Sequence, residues 1–420
     1  MKNMKQALLK IAEGVPQQIL RKILVRKMKE TNLSLPEPVL NALIEHIMSR
    51  NTESFIWNDG LGDENVRIKL TFTKDDGREI EESFSKVVEA LPKALLEGLK
   101  AGAGEIFESL CERWEVEDLT QRNELEGFRE RLEQRWRDGL AFLRMLLTCC
   151  REIGRNTSVR HAKSKSQKHK FRRWVLVRLH TRACQITDEI ICLLQNGFAD
   201  GAMARWRTLY EISVVGILIA EGDEELAERY MLHDVVEVKR QADTFDKQQA
   251  ALGLPALSKL QRAMLEKQYN QVLSRFGFEF AHPYGWAAKH LHLKKPTFKE
   301  LQEAADRAGL SSHYKLASFN VHASARSLFF NLCSIGPQPP LVAGRSNAGL
   351  DEPGARTAHT ITLITALYAG NSPDLKRLIE TNTLLRLRDE AIQAFERTAW
   401  QLEQEVRAPK KPRQKSTAKS

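Results

Sequence analysis

Long apolar runs are missing from this chain of 420 residues. A helix that crosses a bilayer needs roughly 18 consecutive apolar residues. The longest run here, from Ile212 to Ala220, has nine and includes Ser213. The first ten residues carry three lysines and no apolar block of the signal-peptide kind. A cytoplasmic protein with no membrane partner is the expectation. Cysteine is scarce, six in all, and no two cysteines are spaced as CxxC. Cys111, Cys149, Cys150, Cys184, Cys192 and Cys333 all fall in helical patterns, which favours reduced thiols over disulfides or a zinc site. There is no phosphate-binding glycine loop, no GxSxG and no HExxH, so the familiar nucleotide, serine-hydrolase and zinc-protease signatures are excluded. His290 and His292 have a ligand-like spacing of two but no accompanying carboxylate cluster. His180, Cys184 and Asp188 form a line at i, i+4, i+8 that reads as a packing edge beside Val177 and Ile191. No metal and no cofactor are expected.

Acid is missing from two segments. Residues 155–173 hold eight Lys/Arg and residues 407–420 hold six, with no Asp or Glu in either. The whole chain has a net charge of +10, so the rest is mildly acidic. This is the pattern of a globular body with basic appendages rather than a basic-faced DNA-binding domain. Arg160, Lys163, Lys165, Lys168, Lys170, Arg172 and Arg173 are candidate phosphate contacts for a nucleic-acid partner, bound in a salt-sensitive and sequence-independent way. A solvated loop accounts for the same charges, and both readings stand. The remaining composition, 42% hydrophobic and 28% charged, is that of an ordinary globular protein long enough for two or three domains.

Periodicity predicts a mainly α protein, a helical bundle with a small N-terminal α+β region that contains a β-hairpin. Leu20, Ile23, Leu24 and Met28 recur at helical spacing, and Pro36 and Pro38 interrupt before a second helix. Val66, Ile68, Leu70 and Phe72 then alternate with polar residues. That alternation predicts a strand over 66–73, with Asp75-Asp76-Gly77 as its turn and a weaker return strand near 78–84. Leu125, Phe128, Leu132, Trp136, Leu140, Leu143 and Leu147 mark a long amphipathic helix ending near Gly154. The expected organisation is an N-terminal region over 1–154, a basic linker over 155–173, a helical-bundle domain over 174–406 and a disordered basic tail over 407–420. Within the bundle, helices are predicted over 171–196, 199–221, 224–250, 257–276, 297–308, 311–333, 357–368 and 373–406. A Pro/Gly-rich loop over 336–349 precedes the last two.

The helix over 199–221 is apolar nearly all round, which marks it as buried. Arg207 and Glu211 stand four residues apart inside it and are expected to point into protein. Charge enters a core only when paired, and the i,i+4 spacing lets the two side chains meet. An arginine fork suits such a pair better than a lysine. A structural clasp and an anion-binding arginine with a glutamate orienter are both open readings. His322 lies beside the apolar stripe of the helix predicted over 311–333, with Ser318 one turn before and Arg326 one turn after. An acid–base role and a satisfied core histidine are again both open.

Three phrases carry a resemblance. They are Leu193-Leu-Gln-Asn-Gly-Phe-Ala-Asp-Gly-Ala-Met-Ala-Arg-Trp-Arg-Thr-Leu-Tyr-Glu211, Tyr284-Gly-Trp-Ala287 and Tyr314-Lys-Leu-Ala-Ser-Phe-Asn-Val-His322. Over about residues 176–333 the chain resembles domain-of-unknown-function family 5677, an uncharacterised bacterial helical family. The resemblance implies that Arg207, Glu211, Tyr284, Trp286, Ser318 and His322 occupy the family's motif positions, and it implies no activity. Helical ribonucleases of the HEPN superfamily place an Arg before a His on one helix. Here the local order, His322-x-x-x-Arg326, is reversed, so a similar geometry has to arise across helices from Arg207 and His322. The expected site is therefore a cluster of Arg207, Glu211 and His322, with Tyr284, Trp286, Ser318 and Arg326 around it. Three functions follow as expectations: a nucleic-acid-associated binding or effector protein, a metal-independent hydrolase such as a ribonuclease in defence or a toxin system, or a helical scaffold. The oligomeric state is not fixed by these patterns.

Overall fold

The computed structural model describes residues 14–49, 54–56, 70–163, 168–305, 308–322, 325–333, 335–336, 341–370 and 374–408. Among the described residues all regular structure is helical. The chain divides into two compact units, residues 1–122 and 123–420.

In the first unit, α1 (Val15–Glu30) and α2 (Glu37–Ser49) pair through Leu20, Leu24 and Met28 against Leu40, Leu43 and Ile44. Helix α3 (Lys74–Lys163) begins in this unit. Its start overturns the predicted β-hairpin. Residues 66–69 lie outside the described residues, residues 70–73 form no strand, and the expected return strand over 78–84 is helix. The reason is local. Thr73-Lys-Asp-Asp76 closes a reciprocal cap: Thr73 N–H and its hydroxyl donate to Asp76 Oδ2 (2.6 and 2.8 Å), and Asp76 N–H donates to Thr73 Oγ1 (3.3 Å). Two aspartates in the first turn also suit the positive end of the helix dipole. The Asp-Asp-Gly that reads as a hairpin turn is a helix start. Lys27 of α1 adds an ion pair to Asp76 at 2.7 Å, and this partner and the cap hold the carboxyl well below the usual carboxylate range.

In the second unit, α3 bends at Trp136 (φ −101°, ψ 16°). The indole N–H donates to the Asn347 carbonyl (2.9 Å), and the ring packs on Phe395. Helix α3 then runs through residues 155–163, where the sequence predicts a linker. Thr157 is buried there, and Ser158 shares a 2.7 Å hydrogen bond with Tyr368. Helices α4 (Lys170–Gln195), α5 (Ala199–Glu221), α6 (Glu224–Leu232), α7 (Asp234–Gln248) and α8 (Lys259–Phe276) follow. The single helix expected over 224–250 is broken at His233, whose Nε2 lies 2.9 Å from the His282 carbonyl. Short helices α9 (Ala288–Leu291), α10 (Phe298–Ala304) and α11 (Ser311–Phe319) precede α12 (Asp351–Ala369) and α13 (Leu375–Arg407).

Helix α5 is the centre of the bundle, packed by α4, α12, α10 and α11. Its Trp206, Leu209, Tyr210, Val214 and Leu218 are buried. Trp206 donates its indole N–H to Thr360 of α12 (3.0 Å), and Tyr210 accepts from Gln302 of α10 (2.8 Å). These bonds answer the rule that buried polar groups need partners.

Candidate functional site

Two faces of α5 diverge. One is core, and the other carries Arg207 and Glu211 to a half-buried edge, with side chains 24% and 38% exposed. Tyr314 of α11 closes over them. Its hydroxyl donates to Glu211 Oε1 (2.6 Å) and accepts from Arg207 Nη2 (2.9 Å), while the guanidinium lies 4.7 Å from the ring centroid. Burial first, and then the carboxylate of Glu211, push the Tyr314 phenol far up. It stays protonated at every physiological pH and serves as a fixed bridge. Arg207 Nε lies 3.2 Å from Glu211 Oε1, within ion-pair range, but its N–H is not aimed at that oxygen and makes no hydrogen bond. The guanidinium therefore keeps a buried donor without an acceptor.

His322 completes the cluster from outside the helix that was expected to carry it. Helix α11 ends at Phe319 rather than continuing to Cys333. Ser318 turns its hydroxyl back onto the Tyr314 carbonyl (2.8 Å), and the N–H groups of Val321 and His322 both close onto the Ser318 carbonyl. Such side-chain bonding to backbone competes with helix propagation. His322 is left exposed, with Nε2 3.3 Å from Arg207 Nη1. Since Arg can only donate, Nε2 is the acceptor and the ring hydrogen sits on Nδ1.

His322 also lines an open depression of about 400 Å³ together with Asp200, Asn320, Phe319, Phe330 and Asn331. Asp200 stands in the first turn of α5 and accepts from the Leu332 N–H (2.9 Å). Burial raises its pKa. Tyr284 is half-buried, packs its ring toward Phe298 (6.2 Å), and has its phenol pushed up by burial and then by Glu211. Trp286 is elsewhere. It is core, edge-on to Tyr230 at 4.9 Å, and its carbonyl accepts from Arg229 Nε (3.1 Å). Ser318 serves the end of α11. Arg326 is exposed, 6.0 Å from the Phe330 ring, and makes no bond to the cluster.

Sequence reasoning missed Tyr314 as a member. The signal was present, since Tyr314, Ser318 and His322 are spaced i, i+4, i+8. It also missed Arg229, a buried arginine between the Phe276 and Phe280 rings that carries the carbonyls of Trp286 and Gly285. Among the described residues no group of three His, Cys, Asp or Glu side chains converges as a metal site.

The basic segment splits by role. Arg172 is structural: it donates to the Gly222 carbonyl at the end of α5, and Glu224 accepts from the Phe171 and Arg172 N–H groups at the start of α4. Arg160 reaches Thr157 Oγ1 (2.8 Å). Lys163, Lys168 and Lys170 are exposed, and Lys165 lies outside the described residues. Arg160, Arg173 and Arg377 gather around His161, whose pKa is lowered by burial and then by these three cations. The basic charge thus concentrates where α3, α4 and α13 meet.

Residues 173–334 match the model of a family of unknown function, DUF5677, as the resemblance over 176–333 leads one to expect. The match contains Arg207, Glu211, Tyr314 and His322. No curated protein and no solved structure matches the chain.

Proposed function

We propose that this chain is a nucleic-acid-associated protein in which Arg207 and His322 engage a phosphate of the bound strand. One observation carries the reading. Arg207 and His322, far apart in sequence, converge to 3.3 Å, His322 lines an open depression, and the arginine retains an unsatisfied N–H. A guanidinium is suited to hold phosphate oxygens in two-point fashion. The gathering of Arg160, Arg173 and Arg377 supports the same reading, since clustered cations attract a polyanion.

The hydrolase reading also has an observation in its favour: His322 is exposed and its Nε2 lies 3.3 Å from the Arg207 guanidinium. That arrangement fits metal-independent cleavage of RNA. His322 takes the 2′-hydroxyl proton, the O2′–P bond forms, the P–O5′ bond breaks, and the proton passes to the departing 5′ oxygen while Arg207 offsets the charge on the non-bridging oxygens.

The test is a salt titration of binding to a fluorescent single-stranded RNA in the presence of chelator, with the integrity of the RNA followed on a gel. Binding that weakens steeply with salt and weakens further in Arg207→Lys supports the phosphate site. Salt-independent binding, or none, overturns it. Strand cleavage under chelator that His322→Gln abolishes assigns the reaction as well.

A further inference from the structure

Residues 74–122 of α3 carry an apolar stripe that no described residue of the first unit covers. Phe84, Val88, Leu99, Ile106, Leu110 and Trp114 are exposed large hydrophobics, with Ile106 and Phe107 each 66% accessible. Leu91 and Leu95 on the same stripe are half-exposed. Steps of three and four residues keep these side chains on one face of a helix. At its middle stands Ala101-Gly-Ala-Gly104, with Gly98 one turn earlier. A Cβ added at Gly98, Gly102 or Gly104 would meet no other heavy atom within 4 Å. Glycine is unfavourable inside a helix and is kept there where something approaches the backbone closely.

We infer that this stripe is a dimer interface, and that its occupant is the same stripe of a second copy of the chain, running antiparallel and centred between Gly102 and Ala103. Three observations select that occupant. First, the stripe is symmetric about that point between Leu91 and Trp114. Antiparallel pairing sets Leu99 against Ile106, Leu95 against Leu110 and Leu91 against Trp114, apolar on apolar, while Phe84 and Val88 extend beyond this stretch and fall opposite Gln121 and Glu117. Second, the small residues fall at the centre, where two helices crossing on a two-fold axis approach most closely. Third, charge favours this direction: Lys93 and Lys100 fall opposite Glu112 and Glu105, against one like-charge pair of Glu97 and Glu108. The half before the centre carries Lys86, Lys93 and Lys100 against Glu89 and Glu97. The half after it carries Glu105, Glu108, Glu112, Glu115, Glu117 and Asp118 against Arg113. Antiparallel copies lay the basic half over the acidic half, whereas parallel copies stack acid on acid. A self-complementary patch of this kind is what a two-fold dimer requires. From Leu91 to Trp114 the seam is about 35 Å long at 1.5 Å per residue.

The full chain is tested by sedimentation velocity over roughly 1 to 50 µM and by site-directed cross-linking. The wild type is expected to sediment as a dimer. Leu99→Glu/Ile106→Glu, which changes only exposed side chains, is expected to sediment as a monomer with unchanged helical circular dichroism. In a Cys111→Ser/Cys192→Ser background treated with copper–phenanthroline as oxidant, Ala103→Cys is expected to give a covalent dimer. Leu91→Cys alone is not, and Leu91→Cys/Trp114→Cys is. A monomeric wild type, a dimer that survives Leu99→Glu/Ile106→Glu, or cross-linking by Leu91→Cys alone overturns the inference.

Discussion

Tyr314 is the residue on which the candidate site turns. Its hydroxyl is the hinge between a cation and a carboxylate that would otherwise meet only edge-on. Tyr314→Phe leaves Glu211 and Arg207 each short of a partner at a half-exposed edge, so a stability loss of about 1 kcal/mol is expected in thermal unfolding. RNA affinity should fall as well, because the guanidinium loses its fixed orientation. A second residue-scale prediction concerns His180, which is buried with Nε2 3.2 Å from Thr365 Oγ1 and lies beside Cys184 and Tyr368. Burial lowers its pKa to about 4. The folded state therefore keeps the ring neutral where an unfolded chain binds a proton, near pH 6.5. Stability of the second unit should be complete above that pH. It should fall as the pH drops from about 6.5 toward 4, by at most on the order of 3 kcal/mol. Denaturant unfolding across that range checks it, and the slope should flatten in His180→Leu. Gly154→Ala should destabilise the same place by about 1–3 kcal/mol, because the new Cβ would collide with the His180 ring, which packs on Tyr368.

At the scale of elements, the start of α3 shows what patterning conveys and what it omits. The alternation Val66, Ile68, Leu70, Phe72 suggested a strand, but period two over a few residues does not form one without a partner. The competing signal was Thr73-x-x-Asp76, a capping box. Thr73→Ala is expected to cost about 1 kcal/mol in the stability of the first unit. Asp76 sits below the usual carboxylate range because of Lys27 and the cap, so its contribution is present above about pH 4 and lost on acidification through its folded value. Comparing Asp76→Asn with wild type in acid unfolding separates this loss from that of His180. The long periodic helices were legible: the boundaries of α5 agree with those read from the sequence, and α4 and α8 agree to within two residues. Helix α11 was not, because its end is set by side-chain bonds to its own backbone and not by loss of apolar period. Arg207 and Glu211 stand out as a charged pair in an apolar helix and His322 as a histidine beside an apolar stripe, and the structure places Arg207 within reach of both. Trp286 was not separable from them, since an aromatic in a Tyr-Gly-Trp turn looks the same whether it lines a site or fills a core.

At the scale of the whole molecule, all regular structure among the described residues is helical, and none of these helices is long and apolar enough to cross a membrane. The excess charge that composition places in residues 155–173 is divided by the fold. Arg172 is spent on a helix end, while Arg160 and Arg173 join Arg377, a residue more than two hundred positions away, around His161. That convergence is tertiary and has no trace in local sequence. It predicts that Arg160→Gln/Arg173→Gln lowers RNA affinity roughly equally for all sequences and reduces the slope of log affinity against log salt by one to two. Electrophoretic mobility shifts with several unrelated oligonucleotides would show it.

The central claim is that Arg207 and His322 together hold a phosphate. The most direct measurement is the affinity of the full chain for one labelled single-stranded RNA, with chelator and fixed salt, for wild type and His322→Gln. His322 is exposed, so the substitution should leave the melting temperature unchanged. A loss of affinity of about tenfold, worth roughly 1.4 kcal/mol, at unchanged melting temperature is the expected result. Equal affinity in the two proteins would contradict the claim and leave the Arg207–Tyr314–Glu211 cluster as a clasp between α5 and α11.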